Sequence, residues 1–410
     1  MRTASLLTQL LQLKQTRVRK VLFDEEGLVA EVGLTTRIPR CGSCGDKARR
    51  GYDERPRLWR HLDLAGMMLK RRYAIRRVAC RWCGVSTEAV PWADHAVGFT
   101  RAFEDHAGYL TQRADRTTVS TLLRVAWKTV GAIVRRVAER LGPPDRLAGL
   151  THIGVDELSY RRHHEYITVV VDHTQGKVVW AHPGKNADTL KLFFQQLGPE
   201  RGAALEAVTI DMSGAYIKAV SEATPNAQII FDRFHVQRLA HDALDEVRRE
   251  QVRAIEGTDE AAAVKDTRYV LQKNPWNLSV DEKAKLAVVQ RTNKPLYRAY
   301  LLKETLAKVL DGRQVNVARK RLREWIGWAA RSRLAPFQKL SKTVRTHIEG
   351  IVAYVANGLS NGRVEGLNGK VRTITRRAYG FHDAHSLIGM LFLCCSGLML
   401  HPEHVYPRTH

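Results

Sequence analysis

The chain has 410 residues, of which 44% are hydrophobic and 26% are charged, enough to bury large cores in roughly two to four domains. Lysine and arginine total 66 against 42 aspartate and glutamate, a net charge of +24. This excess favours a polyanionic partner, because each phosphate that a cation neutralises releases counterions. A basic peripheral membrane protein is the alternative. Nucleic acid is favoured, since the cations are spread along the chain and form no single amphipathic anchor.

The apolar run from Leu387 to Leu400 is too short to span a bilayer and predicts a buried helix, so no membrane partner is expected. The first 23 residues lack acids, but no signal-peptide core follows, and a basic amphipathic start is favoured over an organellar transit peptide. Four of the six cysteines form CxxC pairs, which fits metal binding in a reducing compartment. We expect a cytoplasmic, nucleoid-associated protein.

The two cysteine pairs lie in the first region, residues 1–95. Each is followed by glycine, at Gly45 and Gly84. Because zinc takes four soft ligands in a tetrahedron and a CxxC turn presents two sulfurs to one ion, the pairs predict one structural Zn²⁺. Its ligands are Cys41, Cys44, Cys80 and Cys83. The 35 residues between the pairs exceed the usual spacing, but 58–79 can form a hairpin. Chance thiol pairs are the less favoured alternative.

Residues 96–145 form the second region. Its helical period covers 100–142 and ends at Gly142-Pro143-Pro144, which breaks any helix. An apolar stripe recurs at i, i+3, i+4 and i+7. Its members are Val130, Ile133, Val134, Val137, Ala138 and Leu141. With a helix over 119–125 and a connector over 126–129, the pattern fits a helix-turn-helix, and an ordinary helical hairpin is the alternative. The basic exposed face favours DNA, so we expect Lys128, Arg135 and Arg136 to contact it.

From Thr151 the pattern changes to strands. Three stretches in succession have strand character, at 151–160, 165–174 and 177–184. A helix over 188–197 then alternates with two apolar strands, at 207–211 and 228–232. This order predicts an antiparallel meander joined to parallel βα units. Long charged helices are predicted over 234–345, with a capping box at Ser279 and Glu282.

Acidic residues in this α/β region suggest a metal site. Asp156 lies in the first strand and Asp211 at the end of the fourth, and these strands are neighbours in a ribonuclease H-like fold. A third carboxylate from a later helix, that of Glu365, completes a set able to hold two hard divalent cations, which require oxygen ligands. Spacing alone does not select this triple. The competing acids are Asp172, Glu157 and Glu349.

Several blocks together resemble the ISL-three family of bacterial insertion-sequence transposases, and the resemblance covers nearly the whole chain. Besides the cysteine pairs and the helix-turn-helix, the matching segments are IGVDE (153–157), VTIDMSGAY (208–216), FDRFHV (231–236), KNPWNLS (273–279) and SNGRVEGLNGKVRTITRRAYGF (360–381). In the last and most specific block, Asn361, Glu365 and Asn368 share one helix face. One departure is Trp276, where a polar residue is expected.

The resemblance implies an α/β fold in which a ribonuclease H-like core, residues 150–245 and 346–410, is interrupted by a helical insertion, 246–345. It implies that Asp156, Asp211 and Glu365 form a DDE triad with two Mg²⁺ or Mn²⁺ ions. Asp232 and His235 have the Asp-x-x-His spacing that such enzymes often carry after the fifth strand. A helix N-cap with a histidine in the first turn is the alternative for this pair. Further active-site support is expected from Asn361 and Asn368, and DNA contacts from Arg363, Lys370 and Arg372.

The implied function is that of a transposase, which binds the terminal inverted repeats of its element as a homodimer or higher oligomer. It cleaves the DNA ends and joins the 3′-hydroxyl to target DNA. Two alternatives remain open from the sequence: an end-binding repressor that keeps the fold without the activity, and a structure-specific metal-dependent nuclease without strand transfer.

Overall fold

A computed structural model describes residues 3–11, 15–161, 165–258, 264–357, 359, 362–378, 381 and 383–401. The chain divides into two compact units. The first contains residues up to Gly142 together with those from Phe392 onward, and the second contains Pro143–Leu391. The predicted zinc module and helix-turn-helix therefore fall in the same unit.

The first unit begins with a β module. Its elements are α1 (Thr3–Leu10), β1 (Thr16–Asp24), β2 (Gly27–Leu34), β3 (Arg49–Leu64), β4 (Met67–Cys80) and β5 (Gly84–Thr87). The order β1-β2-β4-β3, with β5 against β4, makes one sheet. The predicted hairpin is confirmed: β3 and β4 pair antiparallel, and the turn between them uses positive φ at Ala65 and Gly66. Trp59 packs edge-on against Trp92 at 5.6 Å in the core.

Three helices follow: α2 (Arg101–Thr111), α3 (Arg116–Leu123) and α4 (Trp127–Leu141). The predicted stripe on α4 is buried from Val130 to Ala138. The predicted connector at 126–129 was placed too late, because α3 ends at a left-handed Arg124 and α4 already begins at Trp127. The turn is therefore shorter than expected, and Lys128 lies in the first turn of α4.

A buried polar network joins the β module to these helices. His61 Nδ1 lies 2.8 Å from Thr100 Oγ1, and Arg71 Nη2 lies 2.8 Å from His61 Nε2. Thr100 is also the N-cap of α2, where its side chain accepts from the Phe103 N–H. Because buried polar groups are costly to leave unpaired, this network fixes α2 relative to the β3–β4 hairpin.

The end of the chain completes the first unit. The side-chain amide of Gln112 donates to the carbonyls of Leu393 and Leu398, at 2.7 and 3.0 Å. A Cβ at Gly108 would lie 3.0 Å from a methyl of Leu400. The first unit, which contains both the predicted zinc module and the helix-turn-helix, is therefore discontinuous in sequence.

The second unit is built on the predicted mixed sheet. Its strands are β6 (His152–Arg161), β7 (Glu165–Asp172), β8 (Lys177–Pro183), β9 (Ala207–Ile210) and β10 (Gln228–Phe231). The order is β10-β9-β6-β7-β8. β6, β7 and β8 are antiparallel neighbours, whereas β9 is parallel to both β6 and β10. This arrangement confirms the meander joined to parallel βα units.

Helices surround this sheet and continue into the predicted insertion. They are α5 (Ala187–Leu197), α6 (Pro199–Ala203), α7 (Gly214–Ala223), α8 (Arg233–Ala254), α9 (Arg268–Gln272), α10 (Val280–Thr292), α11 (Lys294–Leu310), α12 (Val315–Ala330), α13 (Ala335–Thr346), α14 (Ile348–Asn357), α15 (Gly362–Arg377) and α16 (Ala384–Cys395). The capping box at Ser279 and Glu282 is confirmed at the start of α10.

One hydrophobic cluster includes Ile153 of the sheet and Trp325 and Phe337 of the long helices, so the inserted helices share the core of the sheet. No helix in the described ranges is long and apolar enough to cross a membrane.

Arg136 provides a test of the packing of the first unit. Its guanidinium donates to Glu104, with Nε at 2.8 Å from Oε1, and the Glu104 side chain is 1% exposed. Burial raises the pKa of Glu104, and Arg136 opposes that shift. Removing one partner of a buried pair leaves the other charge uncompensated, so we expect Arg136→Ala to destabilise the unit by about 3 kcal/mol. Urea denaturation of the full chain measures this.

The exposed neighbour Arg135 is the control for this prediction, since its change to Ala should alter stability by less than about 0.5 kcal/mol. The double variant Glu104→Leu/Arg136→Leu should recover most of the loss, because the buried charge is removed together with its partner. Equal stability of Arg136→Ala and Arg135→Ala would contradict the assignment.

Candidate active site and DNA-binding elements

The two predicted aspartates lie on neighbouring parallel strands. β6 and β9 pair His152 with Ala207 and Gly154 with Thr209. The same register continued by two residues brings Asp156 level with Asp211, which directly follows β9. The structure therefore brings together two residues that are far apart in sequence, at the carboxyl edge of a parallel strand pair where α/β folds commonly place ligands.

Backbone hydrogen bonds orient both carboxylates. Asp156 Oδ1 accepts from the Glu157 N–H at 2.7 Å, and Asp211 Oδ1 accepts from the Ser213 N–H at 2.9 Å. These bonds fix the side chains next to the backbone of β6 and of the turn before α7. Both aspartates are half-buried.

The electrostatics of Glu157 link this residue to both aspartates. Burial raises the pKa of Glu157, a hydrogen bond from Tyr216 opposes the shift, and the charges of Asp211 and Asp156 raise the pKa further. The Lys185 ammonium partly compensates. Negative charge from both aspartates therefore acts on Glu157, and a nearby cation would oppose this effect.

Asp232 and His235 lie beside this pair. β10 and β9 pair Phe231 with Ile210, so Asp232 is level with Asp211. Its buried side chain accepts from the Phe234 N–H and caps α8, and His235 Nε2 lies 3.7 Å from Asp232 Oδ2. The N-cap alternative is thus confirmed as a structural role. His235 also reaches the edge of the site, because His235 and Asp211 line one cleft of about 510 Å³.

Gly154, in the IGVDE segment, has a steric reason to be glycine. A Cβ there would lie 2.7 Å from His173 Nε2 and 2.9 Å from Thr209 Oγ1. His173 and Thr209 are themselves joined at 2.7 Å and are both buried. This contact joins the residue after β7 to β9 across Gly154 of β6, two residues before the aspartates, and so supports the register of β6 and β9.

The third predicted carboxylate is carried by α15, which packs against β6. The helix buries an apolar stripe of Leu367, Val371 and Ile374, and Lys370 and Arg372 are exposed. Asn361 and the side chains of Arg363, Glu365 and Asn368 lie outside the described residues. The helix that carries Glu365 is therefore next to the strand of Asp156, and the orientation of the carboxylate stays a prediction.

The competing acids have structural partners. Asp172 Oδ1 accepts from the Thr174 and Gln175 N–H groups at 2.8 and 3.3 Å, which closes the β7–β8 turn. Glu349 pairs with Arg319, whose guanidinium lowers the pKa of that carboxyl. Glu157 is hydrogen-bonded to Tyr216. The charges of both aspartates raise the pKa of Glu157, so this competing acid lies near the candidate site.

Sequence reasoning missed Tyr216, Thr168 and His173. Thr168 Oγ1 lies 3.4 Å from the Tyr216 hydroxyl, and burial raises the pKa of Tyr216. Tyr216 falls within the VTIDMSGAY block, so that match was the available signal for it. A single sequence gave no comparable signal for Thr168 or His173, because their roles depend on pairing across strands.

The four cysteines of the β module meet at one point, where their sulfur atoms all lie within 4.8 Å of one another. Cys44 and Cys80 are separated by 3.5 Å between sulfurs. Both turns need their glycines, since Gly45 and Gly84 have φ of 79° and 68°. Four thiolates in this arrangement are the ligand set of a closed structural zinc site.

The thiols influence one another strongly. Burial raises the pKa of Cys41, but N–H groups of Cys44 and Ser43 outweigh it and hold the pKa at about 6. A hydrogen bond with Cys44, together with burial, raises the pKa of Cys83 to about 12. Thiols that cannot all ionise together without a cation fit a metal-binding role, because zinc deprotonates the sulfurs it binds.

On the helix-turn-helix, the predicted DNA contacts separate into two groups. Lys128 and Arg135 are exposed, as a recognition helix requires. Arg136 faces inward and is bound by Glu104, so its prediction as a DNA contact is replaced by a structural role. Arg124 pairs with Asp63. The exposed cationic face of α4 is consequently smaller than the sequence indicated.

Three family descriptions match successive parts of the chain. One described as the zinc-finger of transposase IS204/IS1001/IS1096/IS1165 matches residues 37–83. The helix-turn-helix domain of transposase family ISL3 matches 88–138. The description "Transposase", for the DDE domain of the same family, matches 153–391, more than half of the chain.

Two relatives match this chain along most of their length. The transposase for insertion sequence element IS1557 of Mycobacterium tuberculosis (strain CDC 1551 / Oshkosh) is 38% identical over 94% of this chain and 93% of its own. The transposase for insertion sequence element IS1001 of Bordetella parapertussis is 28% identical over 85% of this chain and 87% of its own. In sequence order, the chain has a cysteine cluster, a helix-turn-helix and a domain with two aspartates on neighbouring parallel strands. With this order and with matches that cover most of its length, the chain belongs to the ISL3 family of transposases.

Proposed function

We propose that this transposase binds the terminal inverted repeats of its insertion sequence, hydrolyses the phosphodiester at each end and transfers the freed 3′-hydroxyl to target DNA. The observation that carries the proposal is the parallel pairing of β6 with β9, which brings Asp156 level with Asp211. We place the action on bacterial nucleoid DNA in the cytoplasm, by a homodimer or higher oligomer.

The donor set fits hard divalent cations. Asp156, Asp211 and, by resemblance, Glu365 offer carboxylate oxygens, the ligands that Mg²⁺ and Mn²⁺ prefer. Two such ions, when bound, activate the attacking oxygen and stabilise the leaving one in an in-line displacement.

The chain's own residues would orient the reactants. In cleavage, water attacks phosphorus, the bond to the 3′-oxygen breaks and the 3′-hydroxyl is released. In joining, that hydroxyl attacks a target phosphodiester and displaces another 3′-oxygen. The hydrogen bonds from Glu157 and Ser213 hold the aspartates in place. Lys370 and Arg372, exposed on α15, and Arg363 would hold phosphates on either side of the cut.

An end-binding repressor and a nuclease without strand transfer remain the alternative functions. Metal-dependent cleavage of DNA that carries the native ends separates the repressor from the other two. Joined products on a supercoiled target separate the transposase from the simple nuclease.

Removing the charge of Glu365 tests the triad. Glu365→Gln keeps the shape of the side chain, so the fold and end binding should persist, whereas cleavage and joining should fall about a thousandfold or more, since the chemistry rests on charge stabilisation. Asp156→Asn and Asp211→Asn should behave alike, and pairs should be no worse than singles. Single-turnover cleavage in Mg²⁺ or Mn²⁺ measures this.

Glu349→Gln is the matched control, because this carboxylate is occupied by Arg319 at the surface. It should cleave at close to the wild-type rate. If Glu365→Gln cleaves normally and Glu349→Gln is inactive, the third carboxylate is misassigned.

Metal analysis tests the cysteine cluster. We expect about one zinc per chain, and the Cys80→Ser/Cys83→Ser variant should lose it together with the fold of the β module, since metal binding and folding are coupled. Cys394→Ser/Cys395→Ser, outside the cluster, should retain full zinc. Full occupancy in the Cys80/Cys83 variant would defeat the assignment.

The helix-turn-helix is tested by replacing its exposed cations. Lys128→Ala and Arg135→Ala should weaken binding to the terminal repeat without loss of stability. A base-reading side chain should lose specificity, whereas a phosphate contact should lose affinity on every sequence and lower the salt slope by about 1. Competition binding against random duplex distinguishes these outcomes. Unchanged end preference in the double variant would place recognition elsewhere.

A further inference from the structure

A cleft extends from the candidate active site along the helical insertion. One wall is α8 and the other is α13 of the insertion, and these two helices pack against each other. The cleft begins at Asp211, and α8 lines it from His235 in its first turn to Glu246. Its volume of about 510 Å³ is within the range of about 300–1,000 Å³ that is typical of small-molecule sites. This size suits one nucleotide rather than a duplex, whose major groove alone is about 12 Å wide.

The middle of the cleft is apolar. Its lining there comes from Leu239 and Ala243 on α8 and from Pro336 and Leu340 on α13. Ala243 and Leu340 belong to the hydrophobic cluster of this unit, and Leu239 packs against that cluster. The core therefore fixes these walls in place, so a flat ring can bind between them with little loss of side-chain entropy.

Charged side chains of opposite sign lie on the two sides of this apolar section of α8. Arg238 comes before it, and Asp242 and Glu246 lie about 6 and about 12 Å farther along the helix. All three are exposed, and none of them forms an ion pair within the described ranges. Lys339 of α13 adds a second cation to the lining. The two carboxylates repel phosphate, so their end of α8 disfavours the DNA backbone and accepts an uncharged group instead.

We propose that this cleft binds one unpaired nucleobase of the substrate DNA, from a nucleotide next to the scissile phosphate at Asp211. Arg238 contacts the phosphate of that nucleotide, and the base lies between Leu239 and Leu340. The Asp242 carboxylate accepts a hydrogen bond from an exocyclic amine, as carboxylates do from N4 of cytosine. In a duplex the base is stacked and paired, so it reaches an enclosed cleft only after it leaves the helix. This inference deepens the proposed function and rests on it.

A terminal-repeat duplex with 2-aminopurine, placed in turn at each position beside the cleavage site, tests the proposal with the full-length protein. The fluorescence of this base rises when it leaves the stack, so binding of the wild type should raise it severalfold at one position. Asp242→Ala/Glu246→Ala should abolish most of this rise. It should also slow cleavage about tenfold, the effect of losing a hydrogen bond to a charged group. Both acids are exposed, so the fold should persist.

An abasic nucleotide at the responding position is the decisive substrate, because it has no base to bind. On this duplex the double variant should cleave as fast as the wild type. Glu250→Ala is the matched control, since Glu250 is an exposed acid on α8 that does not line the cleft. This change should alter neither the fluorescence nor the cleavage rate on any of these substrates.

Two results would overturn the inference. One is an unchanged fluorescence at every position beside the cut in a wild-type protein that cleaves these ends. The other is a cleavage defect of the double variant that persists on the abasic duplex, which would assign the two acids to another role. If the wild type neither binds nor cleaves the native ends, the proposed function fails, and this inference fails with it.

Discussion

The pairing of β6 with β9 is the constraint on which the catalytic unit depends. A parallel strand pair needs a long crossover, and here the chain leaves β6 through two antiparallel strands and α5 before it returns. The register of β6 against β9 is supported at Gly154, because the missing side chain leaves room for the hydrogen bond between His173 and Thr209. A slip of one residue would turn Asp156 to the opposite face of the sheet and separate it from Asp211.

Much of this arrangement was predictable because it follows from local periodicity. The strand and helix order, the β3–β4 hairpin and the capping box at Ser279 all follow from hydrophobic pattern and local chemistry, as the structure confirms. The adjacency of β6 and β9 could be predicted only from the resemblance to a known fold, because the spacing of residues along a chain does not specify the order of strands in a sheet. The turn before α4 was misplaced because Arg124 adopts a left-handed conformation that its residue type does not suggest.

Cations were the least predictable part of the site. From the sequence, Arg136 and Arg135 look equivalent, because both lie off the apolar stripe of α4. Helical geometry directs Arg136 toward Glu104 on α2, and a buried acid two helices away cannot be found by spacing.

The discontinuous first unit has a consequence for synthesis of the protein. Gly108 and Gln112 leave the ribosome early. Their surface on α2 is covered only after Leu393, Leu398 and Leu400, nearly 300 residues later, have also been synthesised. A nascent or prematurely terminated chain therefore carries a DNA-binding unit with an exposed apolar face and an unsatisfied amide. Only a polypeptide that extends through Leu400 can present that unit in its final form, so a stop codon late in the catalytic domain would damage the first unit as well.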